Sequence, residues 1–133
     1  MIFNIKQNVE NKKIADYIIE EYGQYINLTN WRVTKWENGR AECYTPDFKE
    51  SGNLTMTAIG NIYYSNNLTL TLPTGLFIDN SYIALHEIQS TGSPISIIRQ
   101  STSTKDSYIY KVNKANNTKT GVSFKVKIIG RWK

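Results

Sequence analysis

Two side chains in this sequence of 133 residues could do chemistry alone, the thiol of Cys43 and the imidazole of His86, and neither residue type occurs twice. A single cysteine cannot form a disulfide within the chain, and it has no second thiol at a metal-binding spacing. Cys43 alternates with Ala41 at the period of a strand, which predicts a buried, inert thiol. His86, in YIALHEIQS, lies beside no nucleophile motif and is predicted to be a partly buried structural histidine. In a symmetric trimer, however, its three copies could meet on the axis and bind a metal.

Carboxylates are the next candidates, because glycoside hydrolysis needs two of them around the scissile bond. The sequence offers acidic residues but brings no pair of them together. It also contains no GxSxG, HExxH, P-loop or GxGxxG motif. We therefore predict a protein that is not an enzyme and that uses neither a cofactor nor a metal. The carboxylates considered are Asp47, Glu50, Asp79, Glu87 and Asp106.

Aromatic and polar side chains next to predicted turns could bind a carbohydrate. Aromatic faces pack against the C–H surfaces of sugars, while Asp and Asn form hydrogen bonds with the hydroxyl groups. At any single position, the simpler interpretation is a tyrosine that packs against a sheet edge. The candidate ligand-binding residues are Tyr63, Tyr64, Asp79, Asn80, Tyr82, Asp106 and Tyr108.

The net charge of +5 is unevenly distributed. Residues 99–133 contain nine Lys and Arg against one Asp, a net of +8, whereas residues 1–98 carry a net of −3. A basic segment with interspersed aromatic residues could bind single-stranded nucleic acid or an anionic wall polymer such as a teichoic acid. Lys125 and Lys127, however, alternate with apolar residues as on any solvated strand face. No RNA-binding signature is present, so we do not expect nucleic acid as a partner.

The elements that must position these residues are predicted to be β-strands. Asn38-Gly39 between two aromatic-rich runs is a strong hairpin signal, and the later runs alternate apolar and polar residues. About eight short strands separated by turn residues predict an all-β fold, an antiparallel β-sandwich or jelly roll. The predicted strands cover residues 31–36, 40–45, 53–58, 67–72, 81–88, 95–100, 107–113 and 122–129.

The first 25 residues have a different pattern, with apolar side chains spaced three and four apart. This spacing favours a short helical or stalk segment over residues 1–25, followed by a β-sandwich domain over residues 26–133, although IADYII could equally form a strand. We expect neither a signal peptide nor a membrane-spanning helix, because no apolar run approaches about 20 residues. The apolar positions are Ile14, Tyr17, Ile18, Tyr22 and Tyr25.

Four short motifs occur in order along nearly the whole chain. They are IADYIIEE at residues 14–21, NWRVTKWENGRAECY at 30–44, LPTGLF at 72–77 and IIGRWK at 128–133. In this order and spacing the chain resembles the C-terminal head domains of bacteriophage tail-fibre and minor structural proteins. The resemblance implies a homotrimeric head in the virion tail. Because the sequence shows no signal peptide and no long apolar run, we expect it to be made in the bacterial cytoplasm and not inserted into a membrane. Its implied partners are other tail proteins and a host cell-surface polysaccharide or wall polymer.

The matched motif residues fit a scaffold or a protomer interface better than a receptor site. The resemblance therefore places the binding function in the loops at residues 46–53, 63–67, 79–82 and 101–107, which are the segments most free to vary. Two alternatives stay open, a purely structural tail or baseplate subunit and a glycan-degrading tail enzyme. The scaffold or interface residues are Trp31, Trp36, Cys43 and Trp132.

Overall fold

The computed structural model of the chain describes residues 24–90 and 94–133. These residues form eleven β-strands and no helix, and all their pairings are antiparallel. The predicted all-β class is therefore confirmed. The strands are β1 (Gln24–Asn27), β2 (Arg32–Lys35), β3 (Arg40–Tyr44), β4 (Lys49–Glu50), β5 (Met56–Ile59), β6 (Ile62–Ser65), β7 (Leu68–Thr71), β8 (Ile83–Gln89), β9 (Ile95–Arg99), β10 (Ser107–Lys114) and β11 (Ser123–Arg131).

The first sheet is built around β11, the longest strand. One side of β11 pairs with β8 along seven residues, and the other side pairs with β4 near its start and β3 near its end. Strands β2 and β1 continue the sheet beyond β3. Strand β11 is long and central because it alternates apolar and polar residues, which gives the strand one face for the core and one for solvent.

The second sheet is built in the same way around β10. Strand β9 pairs with one side of β10, β6 and β7 pair with the other, and β5 extends the sheet beyond β6. Every second residue of β10 is buried, starting at Tyr108. The buried face of each central strand is turned toward the other sheet, as the edge-on contact of Tyr110 with Phe124 shows, with ring centroids 5.4 Å apart. This packing fits the predicted sandwich.

The predicted hairpin is present and is joined to the last strand. Gly39 turns the chain from β2 to β3 with a φ of 97°, a conformation that only glycine adopts without strain. The backbone N–H of Trp132 donates to the Gly39 carbonyl at 2.9 Å, and the Trp132 indole donates to the Trp36 carbonyl at 2.7 Å. The motifs at residues 30–44 and 128–133, which are far apart in sequence, therefore contact each other directly.

The other scaffold candidates lie in or near the core. Trp31 is buried, and its indole N–H donates to the Thr71 carbonyl at 3.1 Å, which joins β7 of the second sheet to the first. Cys43 is fully buried, and burial together with the nearby charge of Glu42 raises the pKa of its thiol. A protonated thiol without solvent access is a poor nucleophile, as predicted.

The structure differs from the sequence prediction in three short segments. Strand β4 lies within the predicted loop at residues 46–53, and β6 contains the two tyrosines expected beside a loop. Residues 1–23, which carry most of the predicted helical or stalk segment, lie outside the described residues. Its last two positions, 24 and 25, belong to β1, which pairs antiparallel with β2.

Candidate functional site

Two loops come together at one end of the sandwich and form a polar surface. Residues 72–82 and residues 99–107 are joined by hydrogen bonds, and we call their solvent-facing side the loop surface. The Asn80 amide donates to the Ser103 carbonyl at 3.1 Å, and the Gly75 N–H donates to the Asp106 carboxylate at 3.0 Å. These bonds fix the two loops relative to each other, so the polar groups between them have defined positions.

Arg99, the last residue of β9, binds the loop at residues 72–82. Its guanidinium donates to the backbone carbonyls of Asn80 and Tyr82 and lies over the Tyr82 ring, 4.3 Å from the centroid. The Tyr82 hydroxyl in turn donates to the Thr104 carbonyl at 2.7 Å. The sequence prediction did not include Arg99. The one feature of the sequence that could have identified Arg99 is a cation at the last position of a mainly apolar strand. A cation at such a position is usually expected to be exposed to solvent.

Asp79 is the exposed carboxylate of the loop surface. The hydroxyl and the N–H of Ser81 both donate to its Oδ1, at 2.5 and 2.9 Å. These bonds, and more weakly the charge of Arg131, lower the pKa of Asp79 from its ordinary value. The side chain is therefore a fixed hydrogen-bond acceptor at neutral pH, suited to the hydroxyl groups of a carbohydrate.

The predicted ligand-binding residues are divided by the fold into three groups. Asp79, Asn80 and Asp106 come together on the loop surface. Tyr82 and Tyr108 are 2% and 0% exposed, so both rings belong to the core and offer no surface to a ligand. They look loop-proximal in the sequence because they lie within two residues of turn residues. Tyr108, however, belongs to the buried face of β10, and Tyr82, which directly precedes β8, packs against Phe77 and Tyr108.

The remaining two candidates, Tyr63 and Tyr64, lie on β6. They pair with Lys114 and Asn113 at the far end of β10, whereas the loop surface adjoins the start of that strand. At about 3.3 Å per residue, the two regions are separated by roughly 20 Å. Both rings are half-buried, and Lys111 lies over Tyr64, 4.8 Å from the ring centroid. The seven candidates therefore do not form a single site.

His86 faces the core of its own chain. Its Nε2 and the Tyr108 hydroxyl are 2.9 Å apart, and its ring also contacts Phe124 edge-on. Burial lowers the pKa of His86 and raises the pKa of Tyr108 to about 12, so at neutral pH the imidazole is uncharged and the phenol keeps its proton. His86 is thus a partly buried structural histidine, as predicted.

We expect His86→Gln to reduce the loss of stability that acidification causes. Because the pKa of His86 in the fold lies below its ordinary value of 6.5, the unfolded chain takes up the proton first as pH falls. The contribution of uncharged His86 to the free energy of unfolding is therefore complete above pH 6.5, and it is lost as the pH falls from 6.5 toward the lowered pKa. Glutamine does not titrate, so the variant lacks this loss. Urea unfolding at about pH 7.5 and about pH 5.5 measures the difference. An equal loss in both proteins would contradict the assignment.

The outer face of the first sheet exposes several apolar side chains. Tyr44 and Leu85, 46% and 53% exposed, pair with Lys127 from opposite sides, and Ile83, 61% exposed, lies beside Ile129. Charged groups are interspersed with them, including the ion pair of Lys127 with Glu42 at 3.3 Å. Neighbouring exposed apolar side chains are a feature of surfaces that contact another protein, whereas charged groups are depleted from the centre of such surfaces.

No protein-family model, no curated protein and no solved structure matches this chain. Among residues 24–90 and 94–133, no three His, Cys, Asp or Glu side chains are grouped so that they could hold a metal ion. The same residues include no helix that is long and apolar enough to cross a membrane. The tail-fibre interpretation accordingly stays a prediction from the four sequence motifs.

Proposed function

We propose that this chain is the head domain of a phage or prophage tail fibre or baseplate, which attaches the virion to a glycan on the host cell without cleaving it. The observation that carries the proposal is the loop surface. The loop between β7 and β8 and the loop between β9 and β10 are fixed to each other there by side-chain hydrogen bonds, while Asp79, Asn80 and Ser81 stay exposed. A fixed set of acceptors and donors suits recognition of carbohydrate hydroxyls.

The proposed attachment is multivalent. A shallow polar surface of this kind binds a sugar weakly, because each hydrogen bond to the ligand replaces one to water. A homotrimer would present three copies of the loop surface, and several fibres on one virion would multiply them further. Light scattering measures the mass of the protein in solution and so tests whether it is a trimer. A monomer would contradict the multivalent attachment.

The direct test is binding of the purified chain to an array of bacterial surface glycans and to whole host cells. Asp79→Ala combined with Asn80→Ala removes two exposed hydrogen-bonding groups, and we expect at least an approximately tenfold loss of affinity. The control is Thr57→Ala, an exposed change on β5, away from the loop surface. Unchanged binding by the double variant, or an equal loss in the control, would rule out this surface as the receptor site.

The second candidate function is that of a structural tail subunit, and the outer face of the first sheet favours it. A chain of this kind would bind purified tail proteins but not host cells. Leu85→Asp would disrupt that contact while leaving any binding of glycans intact, since Leu85 lies outside the loop surface. A glycan-degrading enzyme would instead release oligosaccharides from host polysaccharide.

A further inference from the structure

A lysine occupies an inward-facing position at the end of the central strand of the second sheet. The buried face of β10 carries Tyr108, Tyr110 and Val112, and the next position of the same face is Lys114, which is only 5% exposed. Apolar residues would normally continue such a face, because moving an ammonium group out of water is costly. The position of Lys114 therefore needs a physical reason.

The surroundings of Lys114 satisfy its hydrogen-bond donors but not its charge. The ammonium group donates to the Thr118 carbonyl and hydroxyl, both at 3.3 Å, and to the Thr120 carbonyl at 2.5 Å. All three acceptors are uncharged. In the part of the chain that the structure describes, the ion pairs join Lys127 to Glu42 and Lys133 to Glu37, so no carboxylate there neutralises Lys114. Burial lowers its pKa, in keeping with an unneutralised charge.

Lys114 lines a cleft that is large enough for a small molecule. The cleft has a volume of about 560 Å³, within the usual range for ligand sites. Its walls are mainly hydroxyl and amide side chains, which can donate to an anion as well as accept from a hydroxyl group. Its one carboxylate is the exposed Glu50. The other polar residues that line the cleft are Gln89, Ser90, Asn116, Thr118, Thr120 and Ser123.

The wall of the cleft is held in place without a ligand. Asn116 accepts hydrogen bonds from the N–H and the hydroxyl of Thr118, at 3.1 and 2.7 Å. Gly121 packs so closely on Gly52 that a Cβ atom would come within 2.3 Å of the Gly52 carbonyl oxygen. A preformed wall reduces the entropy that binding must overcome.

We propose that this cleft binds a small hydroxylated anion, whose single phosphate or carboxylate group neutralises Lys114. The hydroxyls of Thr120 and Ser123, which line the same cleft, donate to the anionic group, and Glu50 accepts from the hydroxyl groups of the ligand. The cleft adjoins the end of β10 and the start of β11, opposite the loop surface. The site and the proposed function can therefore fail independently.

Binding can be measured by NMR titration of the full chain with two anionic probes and their two uncharged counterparts. Glycerol 3-phosphate supplies the phosphate group and glucuronate the carboxylate, while glycerol and glucose are their uncharged counterparts. We expect amide shifts around Lys114 and Thr118 for the preferred anion, with affinity at least about tenfold higher than for its uncharged counterpart. Equal affinity for the charged and uncharged probes would overturn the proposal.

Lys114→Met keeps an unbranched side chain only one atom shorter and removes the charge, and we expect at least an about tenfold loss of affinity for the anion. The matched control is Lys111→Met, on the outer face of the same strand, where the net charge changes equally. An equal loss in both variants would show a diffuse charge effect and contradict the site. If Lys114→Met does not fold, Ser123→Ala decides the question, because it removes a wall hydroxyl and leaves the Lys114 bonds intact. Unchanged affinity in Ser123→Ala would then overturn the proposal.

Discussion

Replacing Phe124 with alanine is expected to lower the free energy of unfolding by about 3–5 kcal/mol. Phe124 is 1% exposed on the central strand of the first sheet. Its ring contacts Tyr110 of the second sheet edge-on and also meets His86, at centroid distances of 5.4 and 6.4 Å. Alanine would leave a cavity between the two sheets that these large rings cannot close, since their backbones are fixed by strand pairing.

Phe48→Ala is the matched control for this change. Phe48 is 36% exposed and lies beneath the Lys125 ammonium group, 4.7 Å from its ring centroid. We expect its loss to cost less than about 1 kcal/mol, because little buried area and one exposed cation–π contact are removed. Urea unfolding followed by tryptophan fluorescence measures both variants. Equal losses for the two would show that the space between the sheets is not the core.

The second large effect is expected for Gly130→Val, at about 1–3 kcal/mol or more. Valine favours strands, so propensity alone predicts a gain in stability on β11. A Cβ atom at Gly130, however, would lie 2.8 Å from Cδ1 of the Phe77 ring and 3.0 Å from Cβ of Tyr82. Both neighbours are 2% exposed and cannot move away. The steric cost should therefore exceed the gain from propensity.

The control for Gly130→Val is Ser96→Val, which adds a branched side chain to an exposed position of β9. We expect a change within about 0.5 kcal/mol there. Thermal and urea unfolding of both variants, together with the intermediate Gly130→Ala, would show whether the cost rises with side-chain size. A neutral or stabilising Gly130→Val would contradict the close packing of Phe77 against β11.

The long strands could be predicted from the sequence, whereas the short ones could not. Strand β10 alternates over all eight of its residues and β11 over its first six, residues 123–128, and such runs have few other interpretations. Strand β4 has two residues, too few to form a pattern. The four residues of β6 include adjacent tyrosines, both half-buried, which breaks the alternation. Pairing with β11 and β10, which are distant in sequence, makes these segments strands.

The sequence predicted the separate loops of the candidate site but not their contact. Turn residues marked the loops that contain Asp79 and Asp106, but nothing local shows that the two loops touch. Their contact depends on Arg99 and Tyr82, whose partners lie 17 to 25 residues away. The cleft around Lys114 was missed because the strand was predicted to end at residue 113. Extending the alternation by one residue places that lysine on the buried face.

The position of the two central strands also determines the order in which the fold can be completed. Residues 107–131 contain both β10 and β11, so β3, β4 and β8 of the first sheet and β6, β7 and β9 of the second are synthesised before the strands that pair with them. During translation, β1, β2 and β3 can pair with one another and β5 can pair with β6, but β4, β7, β8 and β9 have no partner until β10 and β11 are made. Such late, long-range pairing slows folding and favours aggregation of incomplete chains. The apolar faces of the earlier strands therefore stay uncovered until residues 107–131 have been synthesised, and this is the interval in which a chaperone would shield them.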